Sequence, residues 1–153
     1  MPLRAKVISK MKNIYTIKWP DNIVEKRRFF LGFLLKAISL YEIDFQSELG
    51  NPVQIAQDFY YGRITKEKYE ENIEVYWEYI MKLEGNRWRN FQDPDNIKAR
   101  LALTLLCVTG ENLERENLEY AETISWLFQF IDSLGFDSEK ASKLMIRYFE
   151  FEE

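Results

Sequence analysis

Histidine is absent from the 153 residues, which removes the commonest general base, the Ser-His and Cys-His nucleophile pairs and the usual zinc ligand sets. Cysteine occurs once, as Cys107, so no disulfide forms within the chain, and a lone thiol in an apolar run behaves as a small buried hydrophobe. The six glycines, Gly32, Gly50, Gly62, Gly85, Gly110 and Gly135, stand singly. None builds the glycine-rich loop that cradles a nucleotide phosphate. With only four prolines and no repeat or Ser/Gly-rich stretch, the chain has no evident linker and reads as one domain. No apolar run reaches the roughly 18 residues of a membrane span. The longest candidate, Phe29 to Ile43, is broken by Lys36, Ser39 and Glu42.

What is abundant is aromatic and acidic. Aromatic residues make up 16% of the chain and hydrophobic residues 46%, so a core rich in rings is expected, with Tyr and Trp polar atoms needing partners. The net charge of −4 conceals a split: residues 1–36 carry nine Lys/Arg against two acids, and residues 37–153 twelve against twenty-three. Such a body repels nucleic acid and membrane phosphates and attracts basic proteins. The basic N-terminal region lacks the apolar segment and cleavage site of a secretory signal, so a cytoplasmic location is expected. Met11 is an alternative start.

Residues 1–19 read as an arm, with Tyr15, Ile17 and Trp19 alternating as in a short strand, ahead of a helical domain over 20–153. After Pro20-Asp21, which supplies a turn and a cap, Phe30, Leu34, Ile38, Tyr41 and Phe45 recur at helical spacing. Gly50-Asn51-Pro52 breaks that helix and starts a short one through Phe59. Thr65 caps the next, whose inward stripe is Tyr69, Ile73, Tyr76, Trp77 and Ile80, and Gly85-Asn86 stops it. Asp93-Pro94 launches an apolar helix through Val108. Another starts near Asn117 with Tyr120, Ile124, Leu127, Phe128 and Ile131 inward and Gly135 at its end. A last one follows Asp137 or Ser138, with Ala141, Leu144, Met145 and Tyr148 inward, before the acidic tail Glu150–Glu153. The fold class is therefore all-α, an antiparallel bundle of about six helices with a short N-terminal strand or arm.

Carboxylates alone support glycosidase or metal-dependent chemistry, but the candidates have simpler roles: Asp93 and Asp95 flank Pro94 as caps. No catalytic set, cofactor or metal site is expected, and a carboxylate-dependent enzyme is the minor alternative. Two acidic surfaces are better placed to bind a partner. Glu67, Glu71, Glu74 and Glu78 lie on the solvent side of the Thr65-capped helix. Glu111, Glu114, Glu116, Glu119 and Glu122 have only Arg115 nearby; Glu119 and Glu122 share an outward face with Trp126, with Phe130 at its edge, an aromatic anchor inside an acidic rim. Alternatively Trp126 and Phe130 pack against a second layer, or join two copies of a helical regulatory or scaffolding subunit in a homodimer. Tyr60, Tyr61, Arg63, Trp88 and Arg89 interleave aromatic and basic residues as single-stranded nucleic-acid sites do, but the acidic body favours loop packing and no nucleic-acid partner. Lys26-Arg27-Arg28 sits in a first helical turn, where cations are mildly unfavourable.

The segment Asp58-Phe59-Tyr60-Tyr61-Gly62-Arg63-Ile64-Thr65-Lys66-Glu67-Lys68-Tyr69-Glu70-Glu71, with the Trp77-containing helix that follows, resembles the small acidic helical immunity proteins of bacterial contact-dependent and polymorphic toxin systems. The resemblance implies a cytoplasmic antitoxin that binds one cognate toxin domain, often a nuclease, and blocks its active site or substrate path. An acidic helix face would match the basic cleft of such a partner and speed association.

Overall fold

The computed structural model describes residues 12–45, 47–85, 92–108 and 117–152. Within them lie six α-helices: α1 (Ile23–Ser39), α2 (Pro52–Tyr60), α3 (Lys66–Glu84), α4 (Pro94–Val108), α5 (Asn117–Ser133) and α6 (Glu139–Tyr148). The class is all-α. Short 3-10 turns cover Lys12–Thr16 and Ser47–Leu49.

The helix starts follow local side-chain chemistry, because the first N–H groups of a helix need acceptors from outside it. Asn22, one residue after the expected Asp21, accepts from Val24 N at 2.9 Å and Glu25 N at 3.2 Å. Asn51 does the same for Val53 and Gln54, with Pro52 in the first turn of α2. Before α6 the side chain that caps is Asp137, accepting from Glu139 N at 2.9 Å; Ser138 makes no such bond. Helix α1 ends at Ser39 rather than running to Phe45. Tyr41 has left the helix: its hydroxyl donates to the Asp137 carbonyl at 2.6 Å and accepts from Ala141 N at 3.1 Å, at the start of α6.

The contacts group into two compact units, residues 1–41 with 114–153 and residues 42–113. In the first, α1 packs against α6, and the turn Lys12–Thr16 against α5. An aromatic cluster fills it. The Trp19 ring centre lies 4.9 Å from Tyr120, 5.2 Å from Phe149 and 5.5 Å from Phe30, and Phe29 stacks on Tyr148 at 4.8 Å. Two side chains of the expected arm belong to the core of this unit. Ile14 and Ile17 are buried, Tyr15 is exposed, and the predicted strand is a 3-10 turn followed by one isolated bridge from Ile17 to Phe151. Lys18 N donates to the Glu150 carbonyl at 2.8 Å and Glu152 N to the Thr16 carbonyl at 2.7 Å, so the acidic tail is tied to the segment read as an arm. The Lys26 ammonium stands 5.9 Å from the centre of the Tyr120 ring, a cation–π contact that offsets its unfavourable place in the first turn.

Gly32 lets α1 and α6 approach. The Tyr148 hydroxyl donates to the Phe29 carbonyl at 2.6 Å, and a Cβ on Gly32 would lie 2.6 Å from that same oxygen.

In the second unit α2, α3 and α4 pack pairwise. Phe59 of α2 stacks on Tyr69 of α3 with ring centres 4.1 Å apart, and Ala56, Ile97, Leu101, Ala102, Leu105 and Leu106 are buried.

Two predictions follow from this packing. Alanine at a helical glycine normally adds about 1 kcal/mol of stability, but Gly32→Ala should lower it by about 1–3 kcal/mol through overpacking against Tyr148. Adding Tyr148→Phe, which removes the clashing oxygen, should recover part of the loss in a urea-unfolding double-mutant cycle. Additive losses would contradict the contact.

The second concerns alkaline pH. Burial raises the Tyr41 phenol above its ordinary value; the Ala141 N–H opposes this, while Asp137 and Asp132 add to it. Burial, then the Glu48 charge, raises Tyr76. Both rings hold their proton in the fold but release it near pH 10 when unfolded, so above pH 10 the unfolded chain binds fewer protons and stability falls as pH rises. Urea midpoints should show this loss setting in near pH 10, with a shallower pH slope for Tyr76→Phe. An unchanged slope in that variant would contradict the assignment.

Candidate protein-binding site

Helix α3 opens on Thr65, whose Oγ1 accepts from Lys68 N at 3.1 Å, and closes on Gly85 at φ +52°, a conformation that side chains with a Cβ rarely adopt. Between these limits, three polar contacts fix which side faces inward. The Tyr69 hydroxyl donates to the Leu106 carbonyl of α4. The Tyr76 hydroxyl donates to the Gly50 carbonyl at 2.6 Å. Glu84, only 7% exposed, receives Arg100 of α4 through Nε at 2.9 Å and Nη2 at 2.7 Å, together with Asn96 Nδ2 at 2.9 Å. A two-pronged, charge-assisted pair of this kind is strong and directional, and removing one partner costs about 3–5 kcal/mol because a buried charge is left behind.

Sequence reasoning missed the Glu84–Arg100 pair. A signal was present: a carboxylate in the last turn of a helix opposes the dipole, and Arg100 interrupts an otherwise apolar stretch of α4, so each needed a partner.

With the inward side fixed, 100° per residue carries Glu67, Glu71, Glu74 and Glu78 to the opposite side, and all four are exposed. Lys68 lies 3.6 Å from Glu71 and Lys66 lies 4.0 Å from Glu70; such exposed pairs contribute little. Glu67, Glu74 and Glu78 make no ion pair among the described residues. The face is not purely charged. Val75 is exposed and Met81 is 69% exposed, and Val75, Glu78, Tyr79, Met81 and Lys82 line a shallow groove of about 560 Å³.

Trp77, expected inward, is 41% exposed. It falls at the margin of the buried stripe, where the Arg100 guanidinium covers part of it, 5.5 Å from its ring centre.

The other acidic surface turns out differently. Glu119 and Glu122 of α5 are exposed as expected, but Phe130 is only 4% exposed and Trp126 stacks on it with ring centres 5.6 Å apart. Thr123, on the same side as Phe130, is buried as well. Phe130 is thus taken up by packing and cannot serve as a surface anchor. Glu111, Glu114 and Glu116 lie outside the described residues. The structure therefore brings together Glu67, Glu71, Glu74 and Glu78 with apolar neighbours on one helix, and on α5 leaves the half-buried Trp126 with the exposed Glu119 and Glu122.

Tyr60, Tyr61 and Arg63 pack among themselves at the α2–α3 turn. The two rings meet edge to face at 5.0 Å, the guanidinium lies 5.1 Å from the Tyr61 ring centre, and Asp58 holds it at 3.2 Å. Trp88 and Arg89 lie outside the described residues. Asp93 acts as the expected cap, accepting from Asp95 N at 3.0 Å. Among the described residues no three acidic or thiol side chains converge as metal ligands would, and no helix is long and apolar enough to cross a membrane.

Comparisons with protein-family models, with curated proteins and with solved structures give no match.

Proposed function

We propose that this protein is a non-catalytic binding protein whose acidic α3 face engages a basic protein partner, and that it acts as an immunity protein neutralising a cognate toxin domain such as a nuclease. The observation that supports it best is the exposed row Glu67, Glu71, Glu74 and Glu78, three of them without an ion partner among the described residues, on a helix whose other side is held by Tyr69, Tyr76 and Glu84. Carboxylates fixed on a well-packed helix lose little freedom on binding, and their summed field steers a basic partner toward the face. A nuclease domain is a partner of that kind, since it must present positive charge to phosphates. The resemblance of the Asp58–Glu71 segment to immunity proteins points the same way. In this reading the protein works by occlusion and needs no cofactor.

The test is recovery of the partner from host extract by the tagged protein at moderate salt, beside a Glu71→Lys, Glu74→Lys, Glu78→Lys variant with an unchanged circular dichroism spectrum. A basic protein should be recovered with the native form and lost with the variant, and its toxicity on expression in a surrogate host should be relieved by co-expressing the native form only. A partner retained equally by both forms would place the site elsewhere, and a partner that is not toxic would overturn the immunity assignment.

A further inference from the structure

We infer that the outward side of α6, with Lys36 of α1 beside it, is a second docking surface, and that its occupant is a short acidic segment of another protein. At 100° per residue, Lys140, Lys143 and Arg147 fall within about 60° of one another around α6, and all three are exposed. Lys36, also exposed, comes from the helix that packs against α6. Its ammonium lies 5.2 Å from the centre of the Tyr148 ring, next in sequence to Arg147. None of the four cations makes an ion pair among the described residues. All belong to the unit formed by residues 1–41 and 114–153, so the surface shares no residue with α3.

This placement costs the helix stability instead of adding to it. Lys140 and Lys143 are three residues apart and Lys143 and Arg147 four, the spacings at which like charges on a helix repel. Lys140 also stands in the first turn of α6, where a cation opposes the helix dipole. The acids within reach do not answer the row. Asp137 accepts from Glu139 N at the start of α6, and neither Glu139 nor Glu150 forms an ion pair with Lys140, Lys143 or Arg147. Local rules of this kind are broken at functional surfaces, where another molecule supplies the missing charge.

The size and limits of the row select its occupant. From Lys140 to Arg147 it is about 10 Å long, and carboxylates close it at both ends, Asp137 and Glu139 before it and Glu150 after it. A nucleic-acid backbone or an anionic membrane extends well past that length, so its phosphates would meet those carboxylates and the acidic remainder of the chain. Single-stranded nucleic acid also needs free aromatic faces, whereas the Tyr148 ring beside the row is stacked on Phe29 and faced by Lys36. About three or four residues of extended chain bearing Asp and Glu span the same 10 Å and match the row in charge.

The probe is a labelled synthetic peptide of about 12 residues, rich in Asp and Glu, titrated into the full-length protein at low ionic strength and followed by fluorescence anisotropy. A single-stranded oligonucleotide of equal charge and vesicles containing an anionic lipid are the comparison ligands. Two variants with unchanged circular dichroism carry the same change in net charge: Lys140→Glu, Lys143→Glu, Arg147→Glu on the row, and Lys66→Glu, Lys68→Glu, Lys82→Glu on α3. The row variant should weaken the peptide by about tenfold or more, and the α3 variant by less than about threefold. Equal weakening in both, or no binding by the native protein, would overturn the site. Tighter binding of the oligonucleotide or the vesicles than of the peptide would overturn the occupant. Urea unfolding of Lys143→Glu should show stability unchanged or raised, as the loss of two like-charge pairs requires; a lowered midpoint would show that Lys143 serves the fold and would overturn the assignment. Recovery of a toxin through α3 is a separate measurement that none of these outcomes decides.

Discussion

The rotation of α3 about its own axis is the constraint on which the reading of this molecule depends. Apolar burial alone fixes such a rotation loosely, because a broad stripe of Tyr, Ile and Leu tolerates a turn of a few tens of degrees with small loss of area. Polar contacts are less forgiving. Tyr69 reaches the Leu106 carbonyl, Tyr76 the Gly50 carbonyl, and Glu84 the guanidinium of Arg100. These residues are spaced seven and eight apart, so they stand on one side of the helix near its start, middle and end. A rotation that broke any one of them would strand a buried polar group at about 1–3 kcal/mol, and more for the carboxylate. The orientation of every outward carboxylate follows from that lock.

The lock also explains why the face combines charge with apolar surface. Trp77 lies at the margin of the stripe, where a slightly different rotation would bury it, and the Glu84–Arg100 pair holds it at that margin instead. Replacing a buried ion pair with apolar side chains is often neutral or stabilising, so the pair is better understood through the geometry it imposes than through stability. Glu74, Val75, Glu78 and Met81 are then displayed on a helix whose rotation is fixed.

Much of this fold was legible from residue types and spacing. Asn51, Thr65, Asp93 and Gly85 mark helix limits correctly because caps and positive-φ stops are local: the side chain and the N–H it serves lie two or three residues apart. The acidic row on α3 was legible for the same reason, since periodicity needs only the helix itself. What escaped is non-local. Glu84 and Arg100 sit on different helices, and the bridge joining Ile17 to Phe151 connects segments far apart in sequence, so residues 12–19 read as an arm although Ile14 and Ile17 belong to the core. The margin of a helical stripe was also misjudged, Trp77 being taken as inward, while of the two readings weighed for Phe130 the packed one holds. Periodicity gives a direction, while burial at the margin depends on neighbours that it does not specify.

Carboxylate footprinting with a water-soluble carbodiimide and an amine tests the orientation of α3 most directly, because it reads each side chain of the helix separately by mass spectrometry. Glu67, Glu71, Glu74 and Glu78 should label at the rate of unstructured carboxylates, and Glu84 at least about tenfold more slowly, since its modification requires local opening of the Arg100 pair. Labelling of Glu84 as fast as its neighbours, or protection of Glu74 and Glu78 in the free protein, would contradict the lock and the binding face that rests on it.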